Sequence, residues 1–261
     1  MAIFHPLFSG SSGNCEYIGY GDSGILIDIG ISAKRLTAAL ELNKIPTSNI
    51  KAIFITHEHS DHICGLRVFA AKHGIPVFCS SQTKAALELD EKIKSSLYIN
   101  EFESSAQIGG FKISRFNTSH DCAGSSGYRI ITADNKSIAV CTDLGYLSDE
   151  VKLGIMGCDA VMLEANHDLS MLRNGNYPLS LKNRIASDFG HLSNNCCAEF
   201  LPELIKSGTT RIILGHLSKE NNRPRLAYDT AVECLKIYGY TADVDYSICV
   251  ATPDNGKPII V

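Results

Sequence analysis

The chain has 261 residues, 44% of them hydrophobic and 20% charged, which is enough apolar material for a substantial core. Its formal net charge of -4 and its pI near 6.1 exclude a wholly basic surface, although phosphate binding needs only a local basic patch. No apolar run is long enough to span a membrane, and no basic segment leads into an apolar one at the start. We therefore expect a cytoplasmic protein without a membrane span.

Strands and helices are mixed along the chain in two similar halves. In the first half, short apolar runs and periodic patterns predict strands at residues 3–8, 15–20, 25–29 and 52–56 and helices at residues 32–43 and 63–73. In the second half, the same signals predict strands at residues 111–116, 127–132, 137–142, 160–164, 211–214 and 245–250 and helices at residues 193–206 and 224–238.

Two short segments of the halves match each other. Residues 26–30 and 141–145 each consist of the end of a predicted strand, an aspartate, one further residue and a glycine, which suggests a duplicated half. The expected architecture has two facing mixed sheets between helical layers, in one domain over residues 1–261.

The ten cysteines are scattered along the chain and form no Cys-x-x-Cys pair. This spacing does not indicate a disulfide framework. We expect reduced thiols that fill small sites in the core.

The segment from His57 to His62, His-Glu-His-Ser-Asp-His, carries the most chemical information in the chain. It follows the apolar strand at residues 52–56, so His57 and His59 project to the same side before Asp61 and His62 lead into a helix. Neutral imidazole with carboxylate is the usual ligand mixture for zinc, iron or manganese. Since one zinc ion needs only three or four protein ligands, this density predicts two ions in one cleft.

His-x-His-x-Asp-His after an apolar strand resembles the signature of the metallo-β-lactamase-fold hydrolases. The later elements of that signature occur in order, as His120 after a strand, Asp143 at a strand end and His216 at another strand end. The resemblance implies an α/β fold of the αββα type, a four-layer sandwich with the ligands on loops at one edge.

The resemblance also implies seven ligands for two divalent ions, zinc or manganese. The ligands would be His57, His59 and His120 for one ion, Asp61, His62 and His216 for the second, and Asp143 as the bridge between them. Asp28, at the end of an earlier strand, would support the ligand loop from behind.

Two further elements resemble the paired acid and His-Ser-Thr motifs of the ribonuclease Z group. Glu164 follows a predicted strand, and His191 precedes a helix that Ser193 is placed to cap. The resemblance implies that His191 donates a proton and that Glu164 orients its ring. A helix-entry histidine bonded to a loop carbonyl is the alternative for His191, and His167 matches no family position.

Segments 9–14, 190–195 and 215–224 resemble the compact bacterial YycJ (WalJ) subfamily, whose members are DNA exonucleases. Small residues in the first segment let backbone N–H groups approach an anion, so Ser11, Ser12 and Asn14 are candidate substrate contacts, with a plain hairpin loop as the alternative.

Cations flank two of the site motifs and predict a local phosphate-binding patch. They are Lys182, Arg184, Lys219, Arg223 and Arg225. With no tryptophan and no aromatic stripe, we expect recognition of the nucleic-acid backbone with little base readout.

The function that the resemblance implies is phosphodiester hydrolysis on DNA by an exonuclease. A hydroxide held between the two ions would attack phosphorus, Asp61 would orient it, and His191 would protonate the leaving oxygen. An ester or thioester hydrolase acting on a small molecule is the alternative enzyme, and a metal-dependent nucleic-acid-binding regulator is the non-catalytic alternative. The sequence leaves open DNA against RNA, exonuclease against endonuclease, and zinc against manganese.

Overall fold

Two seven-stranded mixed sheets form the centre of the computed structural model, which describes residues 1–261. In chain order the strands are β1 (Ala2–Phe8), β2 (Cys15–Tyr20), β3 (Ser23–Ile27), β4 (Ile50–Phe54), β5 (Val77–Cys79), β6 (Ile99–Glu101), β7 (Ser105–Ile108), β8 (Phe111–Asn117), β9 (Ser126–Ile131), β10 (Ser137–Cys141), β11 (Ala160–Glu164), β12 (Arg211–Gly215), β13 (Ser247–Val250) and β14 (Ile259–Ile260). The first sheet has the order β14-β1-β2-β3-β4-β5-β6, and the second has the order β13-β12-β11-β10-β9-β8-β7.

Helices cover the outer faces of both sheets. They are α1 (Ala33–Leu42), α2 (Ser60–Ile63), α3 (Leu66–His73), α4 (Ser81–Leu87), α5 (Glu91–Ser96), α6 (Asp149–Ile155), α7 (Leu169–Asn174), α8 (Leu179–Ile185), α9 (Asn194–Lys206) and α10 (Pro224–Ile237). No helix of the chain is both long and apolar enough to cross a membrane.

The two sheets repeat one pairing pattern. Counted from β14 in the first sheet and from β7 in the second, three antiparallel pairings are followed by three parallel ones. β14 takes the place in the first sheet that β7 takes in the second, and the middle strand is β3 in one and β10 in the other. The matching segments 26–30 and 141–145 therefore occupy equivalent positions in the two halves.

Four layers follow from the alternation of side chains along the strands. Ile25 and Ile27 of β3 join Ile138 and Val140 of β10 in a buried cluster between the sheets. Leu26, between the two isoleucines, faces the opposite way and packs with α1 and α3. The second sheet packs its outer face on α6, α9 and α10. The predicted αββα sandwich is confirmed.

Side-chain caps fix where two of the predicted helices begin. The Ser32 side chain accepts a hydrogen bond from the Arg35 backbone N–H, and Ser193 accepts one from Cys196. Each serine satisfies a donor that the first turn leaves free, so the helix begins one residue later. No two cysteines are joined in a disulfide, and five of the ten lie in the core, namely Cys15, Cys79, Cys141, Cys158 and Cys197. The other five are at least partly exposed, so they do not fill core sites as expected.

The predicted helix at residues 63–73 is wrong in one respect, because Ile63 ends a separate short helix, α2, and α3 covers only residues 66–73. Gly65 lies between them and donates its N–H to the Ile29 carbonyl at 2.9 Å. A Cβ at Gly65 would overlap the Ile31 carbonyl oxygen, so the chain turns where it packs on this neighbouring loop. Asp61 and His62 consequently lie on the short α2 at the edge of the first sheet.

The carboxyl ends of the parallel strands bring the candidate residues together. Asp143, Glu164 and His216 stand at the ends of β10, β11 and β12, which are neighbours in the second sheet. Asp28, Asp143 and His216 have left-handed φ angles of 59°, 57° and 53°. Such angles are uncommon outside glycine and concentrate at functional sites.

The loop that contains Gly30 packs closely against α2, which contains Asp61. A Cβ at Gly30 would overlap the Asp61 carbonyl oxygen, which is backbone and cannot swing away. Gly30→Ala should therefore destabilise the protein by about 1–3 kcal/mol, as overpacking does, and should weaken metal binding. Urea unfolding with metal analysis measures both effects. Gly21→Ala is the control, since its φ of 57° gives only the left-handed penalty and no atom lies within 4 Å. Metal binding that Gly30→Ala leaves as unchanged as Gly21→Ala does would contradict the close approach.

Candidate metal centre

Asp28 and Thr56 fix the first pair of imidazoles. Asp28 is buried and accepts hydrogen bonds from the Thr56 N–H at 2.8 Å, the Thr56 hydroxyl at 2.7 Å and His62 Nδ1 at 2.7 Å. His57 Nδ1 in turn donates to the Thr56 hydroxyl at 3.0 Å. Both rings therefore present Nε2 to the space opposite Asp28, because an acceptor behind an imidazole sets its tautomer and orientation.

Glu164 fixes a second pair. Its Oε1 accepts from His216 Nδ1 at 2.7 Å and from His191 Nδ1 at 2.9 Å. Its Oε2 accepts from the backbone N–H groups of Leu144 and Leu192, each at 3.0 Å. This fully buried carboxylate thus binds the chain after Asp143 as well as both imidazoles, a wider role than the orientation of His191 alone that the sequence suggests.

The remaining imidazoles complete the inner surface of the site. His120 donates from Nδ1 to the Gly190 carbonyl at 3.0 Å, so its Nε2 faces inward. His59 faces the same space with Nδ1, which lies 3.3 Å from His120 Nε2.

The inward atoms have the spacing of ligand atoms around a metal ion. His62 Nε2 lies 3.2 Å from Asp143 Oδ2, and His216 Nε2 lies 3.6 Å from Asp61 Oδ2. Ligand atoms 2.0–2.1 Å from a tetrahedral ion are about 3.3 Å apart. His57 Nε2, His216 Nε2 and Asp143 Oδ2 are also buried without a hydrogen-bond partner, which is costly unless a cation takes that place. The donor set therefore fits divalent metal.

The structure brings the candidate ligands together in small groups. Ligand atoms of His57, His59 and His120 lie within 4.8 Å of one another. Those of Asp61, His62 and His216 form a second such group. Asp143 joins His57 and His62 in one group and Glu164, His191 and His216 in another.

Buried charge sets the protonation of this centre. Burial opposes the charged form of His62, yet Asp143 and Asp28 hold its pKa well above the usual value. Burial opposes the charged form of His216 as well, and Asp143, Asp61 and Glu164 hold its pKa high. Burial would raise the pKa of Asp143, but His216 and His62 keep it well below its usual value. The carboxylates thus attract a cation into the site, either a proton or a metal ion.

A cavity of about 220 Å³ opens over these groups. It is lined by site residues that the sequence predicts, among them His59, Asp61, His120, Asp143, His191, His216, Arg184 and Ser11. It is also lined by Asn166 and Tyr177, which sequence reasoning missed. Asn166 donates to the His216 carbonyl at 2.9 Å, and its place two residues after Glu164 was the available signal. His167, left open by the sequence, is buried away from the cavity, and burial lowers its pKa to about 4.

The expected substrate contacts of segment 9–14 divide into two kinds. Ser11 and Ser12 are exposed at the mouth of the cavity region. Asn14 does not fit the expected substrate contact, because its side chain is buried. It accepts a hydrogen bond from the Gly10 N–H at 2.9 Å and approaches the Asp61 carbonyl at 3.3 Å. It therefore supports the ligand loop and is not free to meet substrate.

The five cations do not form one free patch. Arg184 pairs with Asp121 through Nε and through Nη2, the latter at 2.8 Å, and Arg225 pairs with Asp229 at 2.7 Å. Lys182 donates to the Arg173 carbonyl at 2.9 Å. Lys219 and Arg223 make no ion pair and line a second cavity beside the first. Arg184 lines the metal cavity, but Asp121 already neutralises its charge.

A model of the beta-lactamase superfamily domain matches residues 24–217. Exodeoxyribonuclease WalJ of Streptococcus pneumoniae serotype 2 is 40% identical over 258 residues, which cover 97% of this chain and 95% of that protein. Exodeoxyribonuclease YycJ of Bacillus anthracis is 36% identical over 239 residues, which cover 91% and 90%. The chain therefore belongs to the β-lactamase superfamily, in the branch that contains WalJ and YycJ.

Solved structures agree on the fold. The metallo-beta-lactamase fold protein YhfI of Bacillus subtilis has a TM-score of 0.73 at 17% identity, over 99% of this chain and 98% of that one. The Zn²⁺-bound PqqB of Methylobacterium extorquens has a TM-score of 0.74 at 14% identity, over the whole of both chains. These likenesses concern the architecture alone and confirm the predicted fold family.

Metal affinity should change with pH even above the usual pKa of histidine. The pKa values of His62 and His216 are raised, so both rings stay protonated to higher pH, and a metal ion must displace those protons. Affinity should rise with pH through neutrality and fall as the solution is acidified. Competition with a chromogenic chelator at several pH values measures it. His57, whose pKa is lowered by burial and by His62, adds no dependence in this range, so a flat profile above pH 6.5 would contradict the assignment.

Proposed function

We propose that the chain is a metal-dependent exodeoxyribonuclease that acts in the cytoplasm as one domain over residues 1–261. The observation that carries the proposal is the buried, ligand-spaced His and Asp centre in a chain that resembles WalJ and YycJ along nearly its whole length. Two cations without ion pairs beside that centre supply the charge that a nucleic-acid backbone requires.

Seven residues would hold two divalent ions, zinc or manganese. They are His57, His59 and His120 for one ion, Asp61, His62 and His216 for the other, and Asp143 between the two. When bound, such ions supply an activated water at neutral pH and neutralise charge on the phosphoryl oxygens. Asp28 and Glu164 hold the imidazoles in place, and the half-buried carboxylate of Asp61 would orient the attacking water.

His191 is the proton donor of the proposed reaction. Its ring lines the metal cavity, and Nδ1 donates to Glu164, so Nε2 remains for the leaving oxygen. Burial opposes protonation, but Glu164 raises the pKa of His191 above its usual value. A raised pKa favours the protonated ring that a proton donor requires, and turnover should decline as pH rises through that pKa.

A digestion panel tests the function itself. Wild-type protein with zinc or manganese should release mononucleotides from the ends of labelled DNA and should hydrolyse RNA and thioesters more slowly. Asp143→Asn should abolish the reaction, whereas Asp22→Asn, an exposed turn residue, should not change it. Hydrolysis of thioesters without hydrolysis of DNA would overturn the proposal in favour of a small-molecule hydrolase.

A second prediction separates the proton donor from a merely structural histidine. His191→Ala should lower turnover on DNA by about 10² to 10⁴ and leave metal content intact. A nitrophenyl phosphodiester, whose leaving group needs little protonation, should lose far less. His73→Ala on α3 is the control. Equal losses on both substrates would assign His191 a binding or structural role. Glu164→Gln does not serve this purpose, because Glu164 Oε1 also holds His216 and the change should reduce metal content too.

A further inference from the structure

A second cavity adjoins the metal cavity and has a different size and lining. Its volume is about 560 Å³, against about 220 Å³ over the metal centre. Pockets that enclose a small organic ligand measure about 300–1,000 Å³, so the metal cavity is large enough for a phosphate group and the second cavity for a nucleoside. The two share Ser11, Tyr177 and Ser218 as lining residues. A ligand bound over the metal centre can therefore continue directly into the second cavity.

The glycine-serine loop lines this second cavity and carries backbone hydrogen-bond donors that are free. The backbone N–H groups of Ser11 and Ser12 donate to no acceptor in the chain. Consecutive free N–H groups of this kind form an anion-binding concavity. The loop is held in place, because Ser9 Oγ accepts from the His216 N–H at 2.9 Å and Gly10 donates to Asn14 Oδ1 at 2.9 Å.

The charge of the lining complements phosphate. Lys219 makes no ion pair or hydrogen bond through its ammonium group, and Arg223 bonds only to the carbonyls of Lys219 and Asn222. Glu220 is the one carboxylate in the lining, so two cations face one anion. By contrast, Arg184 and Arg225, the other arginines near the site, are neutralised by aspartates.

Tyr177 gives the cavity an aromatic wall. Its side chain is half-buried, and its hydroxyl makes no hydrogen bond within the chain. It follows the end of α7, where a Cβ on Gly175 would lie 2.7 Å from Asn221 Oδ1, so this connection is packed against the turn that carries Lys219. An aromatic ring in the wall of a cavity offers a surface on which a base of any sequence can stack.

We propose that the second cavity is a nucleoside subsite, in which Tyr177 stacks on the base next to the scissile phosphate while the Ser11 and Ser12 amides and Lys219 bind the following phosphate. The proposal rests on the phosphodiesterase function above and adds to it a contact with the base. It is compatible with the expected backbone recognition with little base readout, because stacking on one tyrosine does not depend on which base is present.

Paired chromogenic substrates test the subsite without changing the leaving group. Methyl p-nitrophenyl phosphate and the p-nitrophenyl esters of thymidine 3′- and 5′-phosphate differ only by the nucleoside. Wild-type protein should prefer one thymidine ester by about tenfold or more in kcat/KM, since stacking on an aromatic ring is worth that much. Tyr177→Ala should remove the preference mainly through KM, and Tyr177→Phe should retain it.

Lys219→Ala provides an independent measurement on single-stranded oligonucleotides. It should lower the slope of log affinity against log salt by about 0.7, the value for one phosphate contact. Lys236→Ala, an exposed lysine at the far end of α10, is the matched control and should leave both the slope and the substrate preference unchanged.

The outcomes separate the two proposals. If wild-type protein hydrolyses none of the three esters and no DNA, the proposed function fails. If it hydrolyses the methyl and thymidine esters equally well, or if Tyr177→Ala lowers both by the same factor with metal content intact, the subsite fails while the proposed function stands. An unaltered salt slope in Lys219→Ala would remove the phosphate contact from the subsite.

Discussion

The structure depends on two buried carboxylates that hold imidazoles by their Nδ1 atoms. Asp28 and Glu164 are almost completely shielded from water, where an unpaired carboxylate would be strongly unfavourable. Each accepts hydrogen bonds from both backbone and side chains. Burial alone would raise the pKa of Glu164, but His191 and His216 lower that pKa to about 2. Since the donors come from separate strands and loops, the same bonds that satisfy the carboxylates also fix the relative positions of the inward-facing ligand atoms.

The repeated sheet pattern explains why the site lies between the halves. Asp28 and Asp143 end the middle strands of the two sheets with the same left-handed backbone, yet their side chains act differently. Asp28 accepts hydrogen bonds behind His62, whereas Asp143 reaches Nε2 of that ring from the other side at 3.2 Å. His62 is therefore held between the two equivalent aspartates, and residues from both halves of the fold would hold an ion there.

Some cations near the site are neutralised by ion pairs, and others are not. The net charge of -4 reflects many surface acids, and several cations close to the site are already neutralised by them. Lys219 and Arg223 are not, and they lie on the turn that follows His216, beside the free amides of the glycine-serine loop. A weakly acidic protein can thus present a locally positive cavity, because screening by salt limits the reach of distant surface charges to about 10 Å.

The sequence by itself determined the chemistry and most of the architecture. The run from His57 to His62 and the alternation of apolar residues predict a metal-binding segment and the strands, because ligand type and side-chain period are local properties of the chain. His120, Asp143 and His216 are candidate ligands through the family resemblance. The cap at Ser193 likewise predicted the start of α9. These signals need no knowledge of which segments meet in space.

Only the tertiary structure decided which side chains are free to act. Asn14 reads as an exposed loop residue, but packing against α2 buries it, and Arg184 reads as a phosphate contact until Asp121 is found beside it. The break between α2 and α3 arises from the loop that ends β3, and the double role of Glu164 arises from the convergence of His191 and His216. Tyr177 carries no motif at all. Each of these depends on contacts between residues far apart in sequence, which a local pattern does not contain.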